Sequence, residues 1–206
     1  MARKPNPYRR PAAFTRAAKA RGFPARSVFK LEEIDKRTRL LRQGMSVLDL
    51  GAAPGSWSMY VSGKVGGHGK VLAIDLVHIP GALGANVRVV QGDALALDAE
   101  VIAGEAPYDV VLSDMAPSTT GTRDLDQARS FELFIGALAS AERHLAVGGS
   151  FVGKIFMSGE FPKAKEAVRR LFEEVRAIRP EGVRSNSFEL FIVGLRRRAP
   201  AAEPSP

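Results

Sequence analysis

The chain has no cysteine among its 206 residues, and its three histidines, His68, His78 and His144, have no metal-ligand spacing. A disulfide framework and a thiolate metal site are therefore excluded, and no metal is expected. No apolar run is long enough to cross a bilayer, and no secretory apolar segment follows the N-terminal charges, so no membrane partner is expected. The lack of cysteine is compatible with a reducing compartment, and a cytoplasmic location is the expectation. Acidic side chains are missing before Glu32. Residues 1–42 carry 13 Lys and Arg against three acids, Glu32, Glu33 and Asp35, whereas the rest of the chain carries 17 against 19. The overall charge of +8 is thus a local N-terminal patch, the electrostatic footprint of a polyanion partner. Two other uses stay open: a solvated tail that aids solubility, and an Arg-rich organellar targeting segment.

What is present suits one α/β domain with a full-sized core. Residues 1–25 read as a basic arm with a short helix at 12–20, residues 26–198 as the domain, and residues 199–206 as a Pro/Ala-rich disordered tail. Val28, Leu31, Ile34 and Leu40–Leu41 form an apolar stripe that predicts a helix over 26–42. Strands are predicted at 46–50, 70–75, 86–91, 108–113, 149–156 and 188–195, with a seventh near 174–178. Helices are predicted at 55–64, 97–103, 124–145 and 162–174. This alternation predicts a mostly parallel sheet with helices on both faces. Gly148-Gly149 punctuates the end of the long helix.

VLDLGAAPGSW at 47–57 reads as a strand, a glycine loop and a helix start, the turn that borders the ligand crevice of a doubly wound sheet. It is not the GxGxxG of a dinucleotide fold: a second glycine at the pyrophosphate approach is missing, and Pro54 removes an N–H donor. A loop that need not cradle phosphates suits S-adenosylmethionine (SAM). Asp49 is expected to brace this loop. Asp75, closing VLAIDL, can accept hydrogen bonds from both hydroxyls of a ribose. Asp93, in VVQGDAL, can accept the exocyclic amine of adenine or cap the next helix. Asp114 ends YDVVLSD and faces the same crevice. The following Met-Ala-Pro lacks the second proline and the aromatic residue with which amino-directed methyltransferases grip a base amine.

Lys154 in GGSFVGKIF and Glu189 in SFELFIVGL lie inside apolar strands, where an unpaired charge is costly. They must be paired or must line a working cavity. A buried structural ion pair is the plain alternative. So is a strand-end cap for Asp114 and a surface cation for Lys30, in SVFKLEEI. With the surroundings ARSVFKLEEID, DLGAAPGSWS, SDMAPSTTGT, GGSFVGKIF and RSNSFELFIV, the sequence resembles the FtsJ/RrmJ family of RNA ribose 2′-O-methyltransferases over roughly residues 20–195. The resemblance implies a Rossmann-like SAM-dependent methyltransferase fold and a catalytic tetrad of Lys30, Asp114, Lys154 and Glu189. It also implies SAM contacts at Gly55, Trp57, Asp75, Asp93 and Asp114. The stand-alone bacterial form of this family points to a uridine ribose of large-subunit (23S) rRNA in a ribosomal particle. Ser56 departs from the family, which often has a second glycine there; a small serine is expected to preserve SAM binding.

In that reading Lys154 accepts the hydroxyl proton or stabilises the oxyanion, Asp114 and Glu189 orient and tune it, and Lys30 orients the ribose or a phosphate. RNA is expected on Arg3, Lys4, Arg9, Arg10, Arg16, Lys19, Arg21 and Arg26. Tyr8, Phe14 and Phe23 either stack on bases or anchor the arm. Arg196–Arg198 add to this surface or end the last strand in solvent. A monomer docking on rRNA or the large subunit is expected. The same chemistry on tRNA or an mRNA cap, a non-catalytic rRNA assembly factor, and a nicotinamide oxidoreductase are the alternatives.

Overall fold

The computed structural model describes residues 9–96, 99–181 and 188–200. In chain order the elements are α1 (Arg9–Ala20), α2 (Val28–Thr38), β1 (Ser46–Leu50), α3 (Ser56–Val65), β2 (Lys70–Asp75), β3 (Val87–Gln91), α4 (Ala99–Ala103), β4 (Tyr108–Ser113), α5 (Arg123–His144), β5 (Leu145–Phe156), α6 (Phe161–Leu171), β6 (Phe172–Ile178) and β7 (Glu189–Arg197). The strands form one seven-stranded sheet in the order β3-β2-β1-β4-β5-β7-β6. Strands β1 to β5 pair in parallel, and β7 runs antiparallel to both β5 and β6. The α/β architecture is therefore the one predicted.

Burial explains the strand sequences. β1 and β4 are near-continuous apolar runs because helices cover the sheet on both sides. On one side Phe134, Ala137, Leu138 and Ala141 of α5 and Val168 of α6 pack on Leu48, Leu72 and Phe151. On the other, Leu31 and Ile34 of α2 and Trp57 and Val61 of α3 pack on Val47, Leu112, Val152 and Phe191. The edge strands VRVVQ and FEEVRAI carry the polar residues that an exposed sheet edge tolerates.

Several element boundaries differ from the sequence reading: α1 begins at Arg9 rather than 12, for instance, and three of the differences have a clear physical reason. The first helix of the domain stops at Thr38 rather than 42, because Arg39 turns left-handed (φ 53°) with its N–H on the Asp35 carbonyl. The Asp35 carboxylate then takes the Leu41 N–H at 2.9 Å, so Leu40 and Leu41 reach the core from a turn. The predicted 162–174 helix ends at Leu171, since Phe172 is buried and pairs with Arg197 as the start of an edge strand. Gly148 and Gly149 lie inside β5 rather than after α5; they sit where its pairing with β4 shifts register, and Gly148 takes a φ of 82°. Residues 1–8, 97–98 and 201–206, on which parts of the arm, α4 and tail expectations fall, lie outside the described residues.

Candidate active site

The carboxyl ends of β1, β2, β4 and β5 and the amino end of antiparallel β7 meet at one crest of the sheet. That topology gathers residues far apart in the chain. Strand pairing sets Lys154 opposite Phe191 and Phe156 opposite Glu189, so Lys154 and Glu189 share a sheet face, the one α2 covers. Lys154 is 7% exposed; its Nζ lies 3.0 Å from Asp114 Oδ1 and also donates to the Asp114 backbone carbonyl. Lys30 enters from α2. Its Nζ donates to Glu189 Oε1 and stands 3.8 Å from Asp114 Oδ1 and 5.8 Å from the centroid of the Phe191 ring. Two cations and two carboxylates thus form one connected cluster with Asp114 between the lysines. Glu189 Oε1 meets Lys30, and through Lys30 and Asp114 it joins the cluster that holds Lys154; α2 brings the Lys30 ammonium onto the end of β7.

The glycine loop 51–55 lies beside this cluster. Gly51 (φ 76°) and Gly55 (φ 99°) serve close packing inside the protein: a Cβ on Gly51 would stand 2.5 Å from Met115 Cγ, and one on Gly55 2.5 Å from Leu83 Cδ2. The loop is braced by Asp75 rather than by Asp49. Asp75 accepts from the N–H groups of Ala53 and Val77, both at 2.8 Å. Asp49 is fully buried, and its Oδ2 accepts from Ser58 Oγ of α3 at 2.6 Å. Its Oδ1 has no hydrogen-bond partner. Burial chiefly, with the nearby Asp114 and Asp75 carboxylates, pushes the Asp49 carboxyl up to about 7. Asp49, Asp75 and Asp114 thus gather three carboxyl groups toward the ends of β1, β2 and β4, one of them with an orphaned oxygen. Asp93 is exposed on the loop after β3. Its Oδ1 accepts from Leu95 N–H at 2.9 Å in a local turn, and α4 begins only at Ala99, so it is not that helix's cap. Trp57 is buried, with its indole N–H on the Ser27 carbonyl at 2.9 Å and its ring 5.7 Å from Phe191. Its side chain is committed to the core, leaving its backbone N–H in the first turn of α3 as the group it offers.

Of the candidates on the arm, Arg3, Lys4 and the aromatic Tyr8 lie outside the described residues, and of Arg9 and Arg10 only the backbone is described. Arg16 and Lys19 are exposed. Arg21 is ion-paired with Glu32 and lies over the Phe23 and Phe29 rings at 5.2 and 5.4 Å. Phe14 packs on Phe29 at 5.4 Å, so these aromatics anchor the arm to α2. Arg196 pairs with Glu173 and Glu174, Arg197 donates to the Leu145 and Glu142 carbonyls, and Arg198 to that of Phe172. All three are at the far end of β7 from the tetrad and belong to the strand's own closure.

A model of the family described as FtsJ-like methyltransferase matches residues 23–197. The chain belongs to this family. The ribosomal RNA large subunit methyltransferase E of Sorangium cellulosum is 64% identical over 200 residues, covering 97% of this chain and 94% of the relative. The protein of that name from Oleidesulfovibrio alaskensis is 49% identical over 181 residues, 86% of this chain and 87% of its own. Among solved structures, a protein described as a ribosomal RNA methyltransferase from Plasmodium falciparum superposes with a TM-score of 0.74 at 22% identity, covering 86% of this chain and all of that one. Human methyltransferase-like protein 13 in complex with SAH gives 0.54 at 17% identity, over 81% of this chain and 80% of that one. These two support the fold.

This FtsJ-like chain also uses residues that the sequence reading passed over. Asp35 is buried on α2 and accepts from Tyr60 Oη at 2.8 Å, with Lys64 Nζ at 3.5 Å, so it fixes the helix that carries Lys30. Asp126 accepts from Thr120 N–H (2.8 Å), Thr120 Oγ1 (2.9 Å) and Gly121 N–H (3.3 Å) and so pins the loop after Asp114. The Thr120 N–H foremost holds its carboxyl below the ordinary range. An Asp in the first turn after TTGT was the available signal for Asp126. The acid i+5 from Lys30 was the signal for Asp35. Ser56 Oγ accepts the Ala25 N–H at 2.8 Å, tying the segment between the arm and α2 to the start of α3.

Proposed function

We propose that this protein transfers the methyl group of SAM to a ribose 2′-hydroxyl of large-subunit ribosomal RNA, a uridine in the form the resemblance implies. The observation that carries this reading is the cluster of Lys30, Asp114, Lys154 and Glu189, held at the crest beside the Asp49 and Asp75 carboxyl groups, in a chain 64% identical to a large-subunit rRNA methyltransferase. The site fits the cofactor chemically: the sulfonium and ammonium of SAM are cations, and a cation close by would favour ionisation of the Asp49 carboxyl, which has one unpartnered oxygen, with Asp75 beside it. Asp75 and Asp93 would take the ribose and adenine, and the backbone N–H groups around Gly55 and Trp57 the carboxylate, at a helix N-terminus. When bound, SAM supplies an electrophilic methyl group.

The chain's own residues do the rest. A ribose hydroxyl must lie in line with the methyl, and correct placement of reactants contributes on the order of 7–11 kcal/mol. Lys30, fixed by Glu189, and Asp114 define where the ribose sits. Lys154, paired at 3.0 Å with Asp114, acts as a cation whose N–H groups stabilise charge developing on the 2′-oxygen as the hydroxyl proton passes to a solvent water. Charge pairing inside the tetrad favours this use over that of a neutral base. The arm, through Arg16, Lys19 and the basic residues before them, takes RNA phosphates. The protein works as a cytoplasmic monomer without a metal, so activity persists in EDTA. The decisive experiment incubates wild type and Lys154→Ala with labelled SAM and undermodified large subunits, then maps the methyl by digestion and mass spectrometry. A 2′-O-methyl nucleotide from wild type alone is expected. SAM binding without transfer to the particle or to free rRNA would move the reading to another RNA.

A further inference from the structure

Beyond the tetrad, one apolar feature of the crest is left without a task. Phe188 immediately precedes Glu189, yet it is 50% exposed, an unusual place for a phenyl ring. The Arg123 guanidinium lies 4.2 Å from its ring centroid. The pair is held by a frame: Met157 N–H donates to the Phe188 carbonyl at 2.7 Å, and Gln127 Nε2 donates to the Met157 carbonyl at 2.8 Å. Met157, whose N–H meets the Phe188 carbonyl, is itself 43% exposed. The pairing of β5 with β7 places Met157 opposite Phe188, three residues beyond Lys154, or about 10 Å along the strand. Alternation sends Lys154 and Glu189 toward α2 and sends Phe188 toward α5, whose first residue is Arg123. The crest therefore has two flanks: α2 and the basic arm on one, and the Arg123–Phe188 pair on the other.

We infer that Arg123 and Phe188 form a stacking subsite for an unpaired base of the RNA, on a nucleotide neighbouring the one methylated. The inference rests on the proposed RNA substrate. An exposed aromatic ring joined to a guanidinium is the surface that single-stranded RNA recognises: bases stack on both planes, and the cation favours the phosphate beside them. A ribose can enter the tetrad only if its strand is splayed from a helix, which leaves a neighbouring base in need of a new stacking partner. The subsite stands where a strand crossing from the arm over Lys154 would leave the crest.

The test measures KM and kcat on undermodified large subunits, affinity for the same particles, and Kd for SAM, in wild type, Phe188→Ala, Phe188→Trp and Arg123→Ala. Phe188→Ala is expected to weaken particle affinity on the order of tenfold, with Kd for SAM unchanged; Phe188→Trp restores it and Arg123→Ala falls between. Removing the neighbouring base from a reconstituted rRNA makes wild type and Phe188→Ala equal. Wild-type affinity in Phe188→Ala, or a loss that Phe188→Trp does not restore, overturns the subsite. If wild type transfers no methyl to the particle, the methylation reading fails by itself, and the affinity comparison alone decides the subsite.

Discussion

The two halves of the crest handle charge in opposite ways. Over β2 and β1 the acids Asp49 and Asp75 have no cation partner among the described residues: Asp49 keeps an orphaned oxygen, and Asp75 accepts from the backbone N–H groups of Ala53 and Val77. Over β4, β5 and β7 every tetrad charge has an opposite partner, Lys154 with Asp114 and Lys30 with Glu189. Asp114 belongs to both halves. In the proposed function the first half is the one that a cationic ligand would complete. The second is neutral as it stands, so it can receive a neutral hydroxyl and respond only when charge develops there. A site that binds and a site that reacts thus differ in whether the protein has already balanced its own charges.

The largest effect should come from breaking the reacting half alone. Lys154→Ala is expected to lower kcat about 10²–10⁴-fold while leaving Kd for SAM within a few-fold, read by single turnover and calorimetry. An equal loss in SAM affinity would mean that the two halves are not separable at Asp114.

Next is Asp49, which tests the binding half through pH. The unfolded chain loses this proton near the ordinary 3.8, whereas the folded protein keeps it to about 7. Between those values the folded state holds the extra proton, so ligand-free stability from this group is full below about 4 and is lost as pH rises through 7. The shift corresponds to an upper bound of about 4 kcal/mol. Asp49→Asn should flatten the fall in stability between pH 5 and 8, measured by urea unfolding of the two proteins side by side. Parallel curves would show that Asp49 is already ionised across this range.

Asp75 ranks third. Asp75→Ala removes the acceptor of the Ala53 and Val77 N–H groups as well as the proposed ribose contact. It should weaken SAM binding by roughly 1.5–3 kcal/mol, with kcat at saturating SAM much less affected. A kcat defect that persists at saturation would place Asp75 in the reacting half.

The same division explains what could be read from sequence. The placement of the acids at the ends of β1, β2 and β4 was legible because each lies within a few residues of a glycine or a turn, and local order carries that information. Lys154 and Glu189 were legible because a charge inside GGSFVGKIF or SFELFIVGL conflicts with its neighbours. Which carboxylate meets which lysine was not legible, since it depends on how α2 crosses the sheet, a tertiary fact. Asp35 and Arg21 were hidden for the same reason: one exposed-looking acid is buried beneath Tyr60, and one expected RNA cation is spent on Glu32. The strand predicted near 174–178 was found, but its first residues from Phe172 were absorbed into a helix because LFEEVRA fits either period until β7 offers an edge.

Ser56 supplies the smallest and sharpest comparison, because it lies in the glycine loop's helix yet bonds the segment leading to Lys30. Its Oγ accepts the Ala25 N–H at 2.8 Å, two residues before the Ser27 carbonyl that receives the Trp57 indole N–H. Ser56→Gly, the residue common in the family at this position, removes one such bond, worth about 1 kcal/mol. If that bond serves the RNA side, KM for the particle should rise a few-fold and amide exchange over residues 21–30 should quicken, with Kd for SAM unchanged. A change in SAM affinity alone would assign Ser56 to the binding half, where its place in the chain suggests it belongs. The hydrogen bond argues otherwise: the hydroxyl is turned toward Ala25, and its backbone alone remains for the cofactor.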